Sequence, residues 1–258
     1  MQVTDADIGI WVGQFLWPMF RIAGFLSVAP VLGARTVSAR IRIGFAGLLT
    51  IVVMPLLDDL PPIPALSLEV FLVVIVQILI GIALGFVLSL LMQVFVVAGQ
   101  IISMQMGLGF ASMMDPANGV SVSLLAQWYQ LMITLLFLAL GGHLASIEVL
   151  VLSFEMLPIT GDAALNLDFP LVALLGSWLF TAGLKLALPA VTALLLVNLI
   201  FGVMTRSAPQ LNIFSLGFPI TMVLGIFVAW ITIGNIIPHF QLRLTEVLSL
   251  MQNVMQGG

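Results

Sequence analysis

The stretch Gly99-Gln-Ile-Ile-Ser-Met-Gln-Met-Gly-Leu-Gly-Phe-Ala-Ser-Met-Met-Asp-Pro-Ala-Asn-Gly119 decides how the chain reads. It ends a run that carries no charged residue from Val70 to Met114, yet it is rich in glycine, serine and glutamine. One straight helix over that run would be about 65 Å long, roughly twice the ~30 Å hydrocarbon core of a bilayer. The run must therefore break or bend, and Gly99 to Gly109 is the place for it. Glycine-rich, irregular backbone at membrane depth is tolerated only inside protein or beside a water-filled cavity. Gly99, Ser103, Gly107 and Ala111 follow one another at i, i+4 spacing, a narrow ridge for close packing if helical. Met104, Met106, Met113 and Met114 surround Phe110, and Asp115-Pro116 ends the cluster. Unbranched thioethers and glycines suit a surface that closes against something and later yields. Helix packing uses the same residue types, so gate and packing element both stay open on this pattern; the overlong run favours the gate.

Composition sets the class. The chain is 62% hydrophobic and 7% charged, where soluble domains carry about a quarter charged residues, so it is an all-α integral membrane protein. Net charge is −4 with no basic cluster, which excludes nucleic acid as a partner and leaves membrane lipid. The absence of cysteine and the presence of two histidines exclude Cys-ligated metal and argue against a His-rich site. Gly107-Leu-Gly109 lacks the strand–turn–helix setting of a dinucleotide fingerprint, so no cofactor is expected. Met1 to Asp7 has acids and no Lys or Arg, so the first apolar segment reads as retained rather than as a cleaved signal peptide.

Taken in order, the first segment, about Ile8 to Leu32, contains Pro18 and Arg21. An arginine at membrane depth must face protein or water. The connection from Gly33 to Arg42 carries Arg35, Arg40 and Arg42 and is assigned to the cytoplasm by the positive-inside rule. The short run Ile43 to Leu57 leads to a stiff acidic loop, residues 58–69. Gly81 and Gly85 mark a packing face before the break, with Gly99 and Ser103 continuing it. An apolar helix over 123–140 ends at Gly141-Gly142-His143, and Leu144 to Leu157 is too short to span alone. A second acidic region reaches Pro170, and Leu171 to Thr205 is a second overlong run, interrupted by Lys185 and Pro189. A polar turn at Arg206 to Asn212 precedes one helix, Leu211 to Ile237, and an amphipathic tail, His239 to Gln256. Arg21 and Lys185 are expected to be buried charges, paired with acids or carbonyls at subunit contacts, with the lining of an ion pathway as the alternative.

At Gln105-Met-Gly107-Leu-Gly109-Phe110-Ala111-Ser112 and Asp115-Pro116 the chain resembles the FliR family of flagellar biosynthetic proteins, whose type III secretion counterpart is the SctT export-gate subunit. The likeness recurs at Leu138-Ala-Leu-Gly-Gly142-His143 and at Arg206-Ser-Ala-Pro209-Gln210-Leu-Asn212-Ile-Phe214-Ser-Leu-Gly217-Phe218-Pro219. Gly141 stands where the family often has an acidic residue. The resemblance implies a subunit like a P-type unit fused to a Q-type unit, with residues 1–165 P-type-like and 166–258 a Q-type-like hairpin and tail. It implies a helical assembly partly raised from the bilayer, with P-type and Q-type partners (FliP and FliQ), FlhB and FlhA, and unfolded export substrates. It places the chain in the bacterial inner membrane at the flagellar basal body and implies no enzymatic activity; the arginines at 33–42 and Arg206, read as cytoplasmic, put both termini on the periplasmic side.

In such a gate, residues 106–119 obstruct the channel, with Met106, Gly107, Gly109, Phe110, Met113, Met114, Asp115 and Pro116 as the plug. Arg206, Pro209, Gln210, Asn212 and Phe214 form either a well-capped turn or a docking site for a partner. Two other classes compete. A small-solute transporter would use Arg21, Asp115 and Lys185, but would ordinarily show two related halves, which this hydropathy profile lacks. An intramembrane enzyme would need Asp115, His143 or Glu148 as acid–base groups, and no nucleophile motif accompanies them.

Overall fold

The computed structural model describes residues 5–34, 36–57, 68–108, 123–207 and 217–256. These form α1 (Asp5–Val28), α2 (Ala39–Val53) with a 3-10 turn (Met54–Leu56), α3 (Leu68–Gln105), α4 (Leu124–Ala139) and α5 (Gly142–Met156). A second 3-10 turn (Ala163–Asn166), α6 (Phe169–Ser207), α7 (Phe218–Ile233) and α8 (Ile236–Gln256) complete them. No strand occurs among the described residues. Among them, Ala39–Leu56, Val70–Gln105 and Phe169–Ser207 are long and apolar enough to cross a membrane; the number rises to five if α4–α5 and α7–α8 each form one broken span.

The two overlong runs become two overlong helices. α3 has 38 residues and α6 has 39, about 57 and 58 Å at 1.5 Å per residue. Gly99 does not interrupt α3, which continues to Gln105, so the break falls at the far end of the expected interval. Neither Lys185 nor Pro189 interrupts α6, and Pro18 lies within α1. A proline inside a helix removes one backbone bond, and these two do not end their helices. The helix expected from Leu211 to Ile237 stops at Ile233, and a turn at Gly234-Asn235 separates it from α8. Asn235 N–H donates to the Thr232 carbonyl there. Glycine and asparagine are both poor helix formers, and the adjacent pair ends the run.

Helix ends are set locally. Asp168 Oδ1 accepts the Leu171 N–H at 2.8 Å, capping α6. Gly141, at φ +71°, separates α4 from α5, so His143 lies in the first turn of α5 rather than at the end of α4.

The chain forms two compact units, each discontinuous in sequence: 1–91, 140–175 and 244–258, and 92–139 with 176–243. In the first, Trp17, Ile22, Phe25 and Leu26 of α1 are buried, as are Val73, Ile80 and Leu84 of α3. Glycines bring these helices together: a Cβ on Gly81 would overlap the Arg21 carbonyl oxygen, and one on Gly85 would lie 2.6 Å from the Phe25 carbonyl oxygen. In the second, α3 buries Val94, Phe95, Ala98 and Ile102, and α4 buries Ala126, Tyr129, Ile133 and Phe137. Gly99 packs on Ala126, where an added Cβ would meet its Cα at 2.8 Å. α6 buries the small stripe Ala182, Ala187, Ala190 and Leu194 while Phe180, Leu188, Leu195 and Leu199 are exposed. Such apolar exposure suits lipid or neighbouring subunits rather than water.

The close approach of α1 and α3 is testable in detergent. Gly81→Ala should lower the unfolding midpoint, since overpacking costs about 1–3 kcal/mol against the ~1 kcal/mol gained in helix propensity. Gly44→Ala, whose Cβ would meet nothing within 4 Å, should keep or raise it. Equal midpoints would contradict the packing described.

Candidate functional site

The C-terminus of α3 is where an apolar helix must find partners for its last carbonyls. Met106 N–H donates to Ile102, Leu108 N–H to Ser103 and Gly107 N–H to Met104. The last two bonds, with Gly107 at φ +83°, make a Schellman cap, which needs a left-handed residue at that place. The next two carbonyls are met by side chains from other helices. Asn198 Nδ2 of α6 donates to the Gln105 carbonyl at 3.3 Å. Thr221 Oγ1 of α7 lies 3.0 Å from the Phe218 carbonyl and 3.4 Å from the Met106 carbonyl, sharing one proton between them.

One face of α7 receives this cap. The Phe218 ring lies against Gly107, and Met106, 1% exposed, lies on Gly225. Below the cap, Ser103 is buried and its hydroxyl has no hydrogen-bond partner among the described residues. On the return side, Gln100 Oε1 accepts the Ser123 N–H at 3.0 Å. Ser123 in turn caps α4, with its Oγ 3.3 Å from the Ala126 N–H. Segment 109–122 thus leaves and re-enters the described structure at the last two turns of one helix. The small-residue ridge ends at Ser103, because Gly107 is beyond the helix. Of the residues expected to form a plug, Met106 and Gly107 lie in this base; Gly109, Phe110, Met113, Met114, Asp115 and Pro116 lie outside the described residues.

Arg21 occupies a different site, in the first unit. It is fully buried. Its Nε donates to Gln77 Oε1 at 2.8 Å, its Nη1 to the Ser153 carbonyl at 2.6 Å and Ser153 Oγ at 3.2 Å, and its Nη2 to the Leu157 carbonyl at 2.6 Å. Phe154 places its ring 4.3 Å from the guanidinium carbon. Ser153 lies in the last turn of α5 and Leu157 follows its end, so the cation sits at the negative end of a helix dipole; the Ser153 carbonyl also accepts the Leu157 N–H, and Arg21 supplies the donor for the Leu157 carbonyl. Of the two alternatives, acids or carbonyls, Arg21 uses carbonyls.

Lys185 is exposed on α6 within the single chain. It stands two residues from both Gly183 and Ala187 of the buried stripe, about 160° around the helix at 3.6 residues per turn. Arg206, in the last turn of α6, is also exposed. Pro209, Gln210, Asn212 and Phe214 lie outside the described residues. Glu148 is exposed on α5. Gln77, Gln100, Asn198 and Thr221 are not among the residues expected from the sequence. Their signal was present, since a polar side chain in an apolar helix needs a partner, but nothing local names that partner.

The chain matches the family model described as bacterial export proteins, family 1, over residues 12–247. It is 37% identical to the flagellar biosynthetic protein FliR of Escherichia coli K12, over 98% of this chain and 97% of that protein. It is 39% identical to FliR of Pectobacterium carotovorum over 96% and 95%. With FliR of Bacillus subtilis it shares 29% over 80% of each.

Arg21→Met should lower the unfolding midpoint, because each buried acceptor left unpaired costs about 1–3 kcal/mol. Arg21→Lys keeps the charge without the planar fork and should lose less. An Arg21→Met chain as stable as the parent would show that these bonds contribute nothing.

Proposed function

Since this chain belongs to the bacterial export proteins, family 1, the family of the flagellar biosynthetic protein FliR, we propose that it is a pore subunit of the flagellar type III export apparatus in the bacterial inner membrane. With P-type and Q-type subunits (FliP and FliQ) it encloses a conduit for unfolded export substrates, and residues 106–119 obstruct that conduit until a substrate arrives. The chain catalyses nothing in this reading; the driving force comes from the proton gradient and from partners such as FlhA and FlhB.

The observation that carries the plug is the base of segment 109–122. A loop that blocks a channel needs two fixed ends close together, and Gly107 with its cap and Ser123 on Gln100 supply them. The lengths of α3 and α6 support an assembly partly raised from the bilayer, since each helix is nearly twice as long as a hydrocarbon core is thick. In this arrangement the loop at 33–42 and the turn at 206–214 face the cytoplasm, the latter as a docking site, and both termini face the periplasm. The P-type-like part, 1–165, and the Q-type-like part, 166–258, describe likeness to two kinds of subunit; compactness divides the chain differently.

Deleting residues 109–119 removes the obstruction and keeps the cap at Gly107. Cells holding the assembled complex with this deletion should become permeable to ions and small solutes. Conductance equal to that of the intact complex would remove the plug assignment.

A further inference from the structure

The contacts around the loop base are of two strengths. α3 closes its own cap with backbone bonds of 3.0 and 3.1 Å. What ties that cap to α6 and α7 is weaker: hydrogen bonds of 3.3 and 3.4 Å, the second sharing its proton, and the seat of Met106 on Gly225. Bonds of that length are near the outer limit, and a thioether holds its place by dispersion without preferred direction. The Arg21 site, by contrast, carries charge-assisted bonds of 2.6–2.8 Å.

The seat itself is closely shaped. A Cβ on Gly225 would overlap Met106 Cγ and lie 2.6 Å from its Sδ and Cε, so a larger residue there would require the Met106 side chain to leave this position. Phe218, Thr221 and Gly225 follow at i, i+3 and i+7, one face of α7. That face meets the ring contact at Gly107, the carbonyl of Met106 and the Met106 side chain. A long, soft side chain in a glycine socket, beside marginal hydrogen bonds, can separate and re-form with the cap intact.

We propose that Met106 in the Gly225 socket is a latch: α7 holds the end of α3, and the loop base, in the closed position, and Met106 leaves the socket when the channel opens. The proposal rests on the reading of 106–119 as the plug. It assigns to α7 the control of that plug and to Gly225 a positioning role.

The chain has no cysteine, so Met106→Cys with Gly225→Cys introduces a pair without background thiols. The overlap at Gly225 places the two β-carbons within the ~4 Å that a disulfide spans. In membranes containing the assembled complex, oxidation should cross-link the pair and stop export, and reduction should restore it. Cross-linking that leaves export running would overturn the latch, and so would failure to cross-link. Should the reduced pair not assemble, Gly225→Ala supplies a second test: it should displace Met106 and raise the resting ion leak, and Met106→Ala alone, which removes the latching side chain, should raise it too. A leak unchanged by Gly225→Ala would overturn the proposal. The two readings separate: a deletion of 109–119 that leaks, beside a cross-linked pair that still exports, removes the latch alone. A deletion that does not leak removes the plug, while the cross-link still reports whether residues 106 and 225 must part for export.

Discussion

The last carbonyls of α3 impose the constraint on which the second unit depends. An uncharged helix in apolar surroundings can stop only where those groups find donors. From Ile102 to Met106 each carbonyl has one: three backbone N–H groups in the cap, then Asn198 and Thr221. The last two bonds require α6 and α7 to be present beside the helix end. The N-terminal apolar run and the C-terminal helices therefore complete one structural element between them.

The two polar sites divide the work by rigidity. Arg21 binds carbonyls at the end of α5 and the amide of Gln77 of α3, so three helices of the first unit share one buried cation. Leaving that cation or its acceptors unpaired would be expensive in a medium of low polarity. The base of segment 109–122 has no charge and few strong bonds beyond its own cap.

Much of this was legible in the sequence, for identifiable reasons. A charge-free run from Val70 to Met114 is too long for a bilayer whatever it packs against. The i, i+4 pair Gly81 and Gly85 is local information, as is a glycine in a helix-ending position at Gly107. The position of the break was less legible: within Gly99 to Gly109 nothing local marks Gln105 as the last helical residue, whereas Gly99, expected as a packing residue, does admit Ala126. Lys185 was read from its charge, and the face of α6 that carries it was decided by Gly183 and Ala187, which pack elsewhere. The partners of Arg21, Gln105 and Met106 lie 56 to 136 residues away along the chain. Pairings of that range follow from tertiary packing, which no local pattern encodes.

In the proposed role this chain works as one part of a shared conduit and not as a transporter on its own. Purification of the tagged chain from membranes in mild detergent, followed by sizing and identification of the subunits that stay with it, distinguishes the two. A stable large complex retaining P-type and Q-type subunits is the predicted result. A monomer or homodimer that takes up a small solute saturably in liposomes would contradict it.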